Sequence, residues 1–212
     1  MSLCVYLLRH GETEASQDDV FCGELNPDLT AAGLEMARHF ANKYAQMTWE
    51  AVYVSPMRRT LATATPFCEA IGLEMHQRDG LKEMFFGQWE NMTKEQVSEQ
   101  FSQDYVRWLT EPAWNPPTGG ETAVQVASRA ALILSEIEDK YPDGNVLVVA
   151  HKSTLRLVLC SLLGIDLGRY RDRITFPVAS VSVVSFDVHG PLLVKHGDRS
   201  HLPTELESRP GT

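Results

Sequence analysis

Positive charge is in short supply in this chain. Its 212 residues include 19 Lys and Arg against 28 Asp and Glu, a net charge of −9, which argues against nucleic acid or an acidic membrane as the main partner. Cysteine is scarce too. Cys4, Cys22, Cys68 and Cys160 form no CxxC pair, so reduced core thiols in a reducing compartment are expected rather than a zinc site or a disulfide framework. No apolar run approaches the roughly 20 residues of a membrane span. No basic flank precedes the first such run, so it reads as a strand rather than a secretory leader, and a cytoplasmic location is expected. A Walker-type glycine loop, an aspartate cluster for magnesium, internal repeats and low-complexity tracts are all missing. An anion bound by this acidic protein therefore needs a local pocket, and neither a metal nor a cofactor is expected.

What is present is apolar content of 43%, enough for one sizeable core and a single domain over residues 1–212. Monomer and homodimer both remain open. The stretch that organises the rest is Leu7-Leu8-Arg9-His10-Gly11-Glu12-Thr13. The apolar run before it reads as a buried strand, and Gly11 permits a sharp turn at its end. A second run of the same kind, residues 145–150, delivers His151, followed by Lys152-Ser153-Thr154. Ligands of open α/β sheets sit at the carboxyl ends of the strands, where helix N-termini favour anions. Two histidines there, with Arg9 beside one of them, point to phosphate.

Between them the elements alternate. Residues 14–27 read as a polar loop near the pocket, and Thr30 as the cap of a helix burying Leu34, Ala37, Ala41 and Tyr44. After a strand at 51–54, Ser55-Pro56 reads as cap and first helical residue, with Pro66 expected to bend or shorten the helix. Arg58 and Arg59 lie about 100° apart on its first turn, so only one easily faces an anion. A short strand at 73–76 precedes Glu83, which stands among Met84, Phe85, Phe86 and Trp89. That setting implies partial desolvation and suits a proton carrier near neutral pH; a surface ion pair with Lys82 or an arginine is the plainer alternative. Residues 93–109 read as one helix with Val97, Phe101, Tyr105 and Trp108 on one face, part of a cap over about 84–120. A Pro- and Gly-rich loop over 112–120 leads to a helix that runs to Tyr141. A hairpin over 178–196 follows, and the tail from 201 to 212 reads as loosely ordered. The expected fold is α/β: a three-layer α/β/α sandwich with a mostly parallel central sheet and a C-terminal hairpin.

Taken together, these residues suffice for phosphoryl transfer without a metal. His10, held in one tautomer by a backbone carbonyl, attacks phosphorus; Arg9, Arg59 and His151 hold the equatorial oxygens; Glu83 protonates the leaving alkoxide and then activates water.

At the same residues the chain resembles the histidine phosphatase superfamily, in its phosphoglycerate mutase-like branch. Leu8-Arg9-His10-Gly11-Glu12-Thr13 is similar to the Arg-His-Gly signature. Phe21-Cys22-Gly23 with Asp28-Leu29-Thr30-Ala31-Ala32-Gly33 resembles the second block. Ser55-Pro56-Met57-Arg58-Arg59-Thr60 resembles the block whose arginine lies four residues after the serine, which selects Arg59. Leu81-Lys82-Glu83 through Glu90 resembles the block that carries the acid, Gly119-Gly120-Glu121-Thr122 the Gly-Gly-Glu loop, and Val149-Ala150-His151 the second histidine; Gly197 to Leu202 is similar to a short C-terminal signature. Ser16, Cys22, Gly23 and Lys152 are implied as substrate-binding positions. Ser16 stands where mutases usually carry asparagine, and Lys152 where a glycine commonly follows the second histidine. The paired arginines that grip phosphoglycerate in cofactor-dependent mutases are not evident. The resemblance thus implies a phosphatase of a small phosphorylated metabolite, of sugar phosphate or phosphoglycerate type, ahead of a bisphosphoglycerate-dependent mutase or a catalytically idle binding module.

Overall fold

The computed structural model describes residues 2–209 and residue 211. In chain order the elements are β1 (Leu3–Arg9), α1 (Glu14–Gln17), α2 (Ala31–Tyr44), β2 (Ala51–Val54), α3 (Arg58–Ile71), β3 (Met75–Gln77), α4 (Lys94–Gln100), α5 (Ser102–Thr110), α6 (Ala123–Lys140), β4 (Gly144–Ala150), α7 (Lys152–Leu163), α8 (Tyr170–Arg173), β5 (Val181–Asp187), β6 (Gly190–Asp198) and α9 (Thr204–Glu207). The six strands form one sheet in the order β3-β2-β4-β1-β5-β6. The first four are parallel; β5 runs antiparallel to β1, and β6 antiparallel to β5, as a hairpin.

Strand alternation builds the two faces. In β1, Leu3, Val5 and Leu7 enter one core with Val146, Val148 and Ala150 of β4 and the inward stripe of α6 (Val126, Ala130, Ile137). Leu8, Val52, Leu147 and Val149 point the other way, into a core closed by Phe40 and Ala41 of α2 and Ala64 and Phe67 of α3. Side chains at period 2 thus separate two helical layers around the sheet. The expected three-layer α/β/α sandwich with a terminal hairpin is the observed fold. No helix among the described residues is long and apolar enough to cross a membrane. All four cysteines are free thiols.

Local expectations fail where a side chain finds a better partner than periodicity suggests. The loop over 14–27 contains α1, since Thr13 and Ser16 form a reciprocal capping box. In α2 the buried face is Gly33, Met36, Ala37, Phe40, Ala41 and Tyr44, and Leu34 is 41% exposed. The close crossing of two backbones fixes that rotation: a Cβ on Gly11 would lie 2.6 Å from the Gly33 carbonyl oxygen, and one on Gly33 2.2 Å from that of Glu12. Ser55 does not cap α3. Its amide continues the ladder to Val149, and Met57 occupies the cap position. Pro66 leaves α3 unbroken to Ile71, because burial of Ala64 and Phe67 on either side outweighs the lost hydrogen bond. The strand expected at 73–76 forms one to two residues later, in register with β2. The helix expected at 93–109 is two, broken at Phe101.

The tail differs as well. Arg209 is ion-paired to Glu12, which is fully buried, at 2.7 Å, and the Gly211 carbonyl accepts from the Val178 amide at 3.2 Å. Of the tail expected to be loosely ordered, Pro210 and Thr212 lie outside the described residues.

Candidate active site

Sheet register alone brings the two histidines together. Arg9 pairs with Ala150 at the ends of the adjacent parallel strands β1 and β4, so the next residues on each, His10 and His151, face one another across the roughly 4.8 Å between strands. Their ring centroids are 5.3 Å apart.

Each ring is held in a single tautomer. His10 Nδ1 lies 2.7 Å from the Gly11 carbonyl. A carbonyl only accepts, so Nδ1 carries the proton and Nε2 the lone pair. In His151 the order is reversed: Nδ1 accepts from Arg59 Nε at 3.1 Å, and Nε2–H donates to Ser55 Oγ at 2.8 Å. Burial, followed by the cations Arg59 and Arg9, lowers His10 well below the ordinary imidazole range, with the Gly11 carbonyl opposing. Burial and then Arg59 push His151 the same way. Both rings are therefore neutral at physiological pH.

Arg59 and Arg58 part as the helical geometry requires. Arg58 is exposed and pairs with Asp28, while Arg59 is 1% exposed. The Arg59 guanidinium donates Nη1–H to the Leu25 carbonyl at 2.7 Å and Nη2–H to that of Gly23 at 3.1 Å. Gly23 has φ +50°, and a Cβ there would collide with the Glu90 carboxylate. Glu90 in turn accepts from the amides of Glu24 (2.8 Å) and Leu25 (3.2 Å), shaping the turn that presents both carbonyls. Arg9 is anchored from below, with Nη1–H donating to the carbonyls of Phe176 (2.6 Å) and Gly211 (2.7 Å). Burial brings it down to about 9, so it remains a cation at neutral pH.

Glu83 is 8% exposed, but its surroundings are not the apolar ones its sequence neighbours suggest. Its carboxylate accepts from the amides of Met84 (2.9 Å), Ser153 (3.2 Å) and Thr154 (3.3 Å), the last two at the N-terminus of α7. An ion pair with Lys82 does not form, since Lys82 pairs with Asp79. Arg129 fixes the acid from behind: it donates to the carbonyls of Gly80, Lys82 and Glu83 and is paired with Glu121 of the Gly-Gly-Glu loop at 2.9 Å.

Arg9, His10, Arg59 and Glu83 share the wall of one cavity of about 340 Å³, together with Ser16, Cys22 and Lys152. Gly23 and His151 lie outside that wall. Gly23 acts on it through Arg59, and so does His151. Lys152 lies 3.7 Å from Asp19, and burial lowers it to about 8. Four further residues contact these groups or line the cavity: Ser55, Glu90, Arg129 and Arg156. The first is the partner of His151, although its sequence context reads as a helix cap. Glu90 sits inside a resembling block and Arg129 about two helical turns past one, and Arg156 interrupts the apolar run of α7.

The sequence model of the histidine phosphatase superfamily (branch 1) matches residues 5–199. Phosphoserine phosphatase 1 of Hydrogenobacter thermophilus is 32% identical over 196 residues, 92% of each chain. Adenosylcobalamin/alpha-ribazole phosphatase of Escherichia coli is 28% identical over 160 residues, 76% of this chain and 79% of that one. The fold is shared with mycobacterial glucosyl-3-phosphoglycerate phosphatase, at a TM-score of 0.83 and 23% identity over 93% of this chain and 99% of that one.

Proposed function

The chain belongs to the histidine phosphatase superfamily, and on that premise we propose that it is a metal-independent phosphomonoesterase of small phosphorylated metabolites, working through a phosphohistidine on His10. One observation carries this reading: the His10 lone pair on Nε2 belongs to the same cavity as two buried guanidinium groups and a carboxylate held by backbone amides. Nε2 attacks phosphorus as the ester oxygen departs, and Glu83 in its acid form gives that oxygen a proton. The ionised Glu83 then takes a proton from water, whose oxygen attacks the phosphohistidine and releases inorganic phosphate and neutral His10. Arg9 and Arg59 stabilise the equatorial oxygens throughout, which is the main demand of such a transition state. His151 works through Arg59; contact with a phosphoryl oxygen would require its ring to release Arg59 or Ser55.

The proposed unit is one domain over residues 1–212, with about 84–120 as its cap. Free thiols and the acidic composition suit a cytoplasmic setting, as a monomer or a homodimer. Phosphoserine and α-ribazole phosphate, taken from the names of the two relatives, head the panel of substrates. The test is release of inorganic phosphate from that panel, with acid-labile labelling of the protein during turnover. Both are expected for the native chain and neither for His10→Ala; labelling that persists in the variant would move the nucleophile elsewhere.

A further inference from the structure

The phosphoryl site accounts for Arg9 and Arg59 but not for all the positive charge of the cavity. Its carboxylates are already engaged. Asp19 is shared between Lys94 and Lys152, Asp172 pairs with Arg169 at 2.6 Å, and Glu83 is taken by amides. The Arg171 guanidinium carbon lies over the Trp108 ring, 3.8 Å from its centroid. Arg156 is different. It lines the cavity, its Nε is buried without a hydrogen-bond partner, and it makes no ion pair among the described residues. Glu83 acts on Arg156 only through space, and a half-buried guanidinium without an ion pair costs stability unless something anionic arrives to meet it.

Its position says where that anion would sit. Arg156 follows Lys152 by four residues on α7, so the two share one helix face at a spacing of roughly 5–6 Å. Helical side chains lean toward the N-terminus, which directs Arg156 back to the end of α7 that holds Glu83. Arg156 and the phosphoryl site share one cavity of about 340 Å³, so a ligand that meets both has a short carbon skeleton. A planar guanidinium fork suits a carboxylate at such a site.

Resting on the phosphatase reading above, we propose that Arg156 binds a carboxylate of the substrate, and that the preferred esters are short phosphomonoesters bearing a carboxylate two or three carbons from the ester oxygen. Phe86 and Trp108, on the same cavity wall, are apolar neighbours for the compact carbon skeleton between the two anionic groups.

The test compares 3-phosphoglycerate with sn-glycerol 3-phosphate, which has a hydroxymethyl group in place of the carboxylate. The native chain is expected to favour the carboxylate ester in kcat/KM by at least tenfold. Arg156→Gln should reduce that ratio at least tenfold, and Arg156→Lys should retain part of it. Calorimetric binding of both esters to His10→Ala, which cannot turn over, separates this inference from the phosphatase reading. Arg156-dependent preference in binding supports the carboxylate site even where hydrolysis fails. An equal affinity for the two esters, or a ratio that Arg156→Gln leaves in place, overturns it.

Discussion

Ser55 Oγ accepts the Nε2–H of His151 at 2.8 Å, and this bond leaves Nδ1 of the same ring as the acceptor for Arg59. A hydroxyl at the end of β2 therefore decides how a guanidinium on α3 is aimed. Ser55→Ala would strand a buried N–H and free the ring to turn. Unfolding free energy should fall by about 1–3 kcal/mol, and kcat/KM by roughly tenfold, equivalent to about 1.4 kcal/mol in the transition state. Denaturant titration and steady-state kinetics on the purified variant check both. Native kinetics in Ser55→Ala would remove the serine from the positioning chain.

His10 offers a direct reading of its charge state. Its lowered pKa means that it takes up a proton only well below pH 6.5, so the nucleophile stays neutral as the medium acidifies through that value. In NMR spectra of the free protein, the ring signal lost in His10→Ala should hold its shift between pH 7.5 and 6.0. A midpoint at or above 6.5 would contradict the environment described here.

Charge neutralisation by Arg9 and Arg59 in place of a divalent ion has a simple correlate. Phosphatase activity should survive dialysis against EDTA within about twofold, with no gain on adding magnesium or zinc. Loss of turnover on chelation, restored by metal, would exclude the proposed mechanism.

His201 links the end of the chain to stability. It is buried against Phe40 and Tyr44, and neither ring nitrogen has a hydrogen-bond partner among the described residues. Burial lowers it from 6.5 to about 4. The unfolded chain thus binds the proton first, so this group's share of stability is complete above pH 6.5 and is lost as pH falls toward 4. Between pH 7.5 and 5.0 that loss amounts to roughly 2 kcal/mol. His201→Phe, which keeps the ring packing, should lose about that much less than the native chain over the same interval in denaturant titrations. Parallel profiles would show that His201 is not the titrating group.

Much of the site is legible in the sequence because it is written at strand ends. A strand followed by Arg-His-Gly, and another followed by His-Lys-Ser-Thr, need only adjacency in the sheet to meet, and the register of β1 with β4 supplies it. Helical spacing likewise separates Arg58 from Arg59. What escapes is the choice of partner across elements. Ser55 before Pro56 has the local form of a helix start, and only the neighbouring ladder reveals that its hydroxyl serves His151. Glu83 follows a similar course: its chain neighbours are aromatic, but the groups around its carboxylate come from residues 153 and 154. The bland local pattern of α7 hides Arg156 altogether.

Arg9 is fixed by the carbonyl of Gly211, a residue that leaves the ribosome some two hundred codons after it. Without that carbonyl the guanidinium would keep only the one of Phe176 as its anchor from below, so a shortened chain ending before residue 211 would hold Arg9 by one hydrogen bond in place of two.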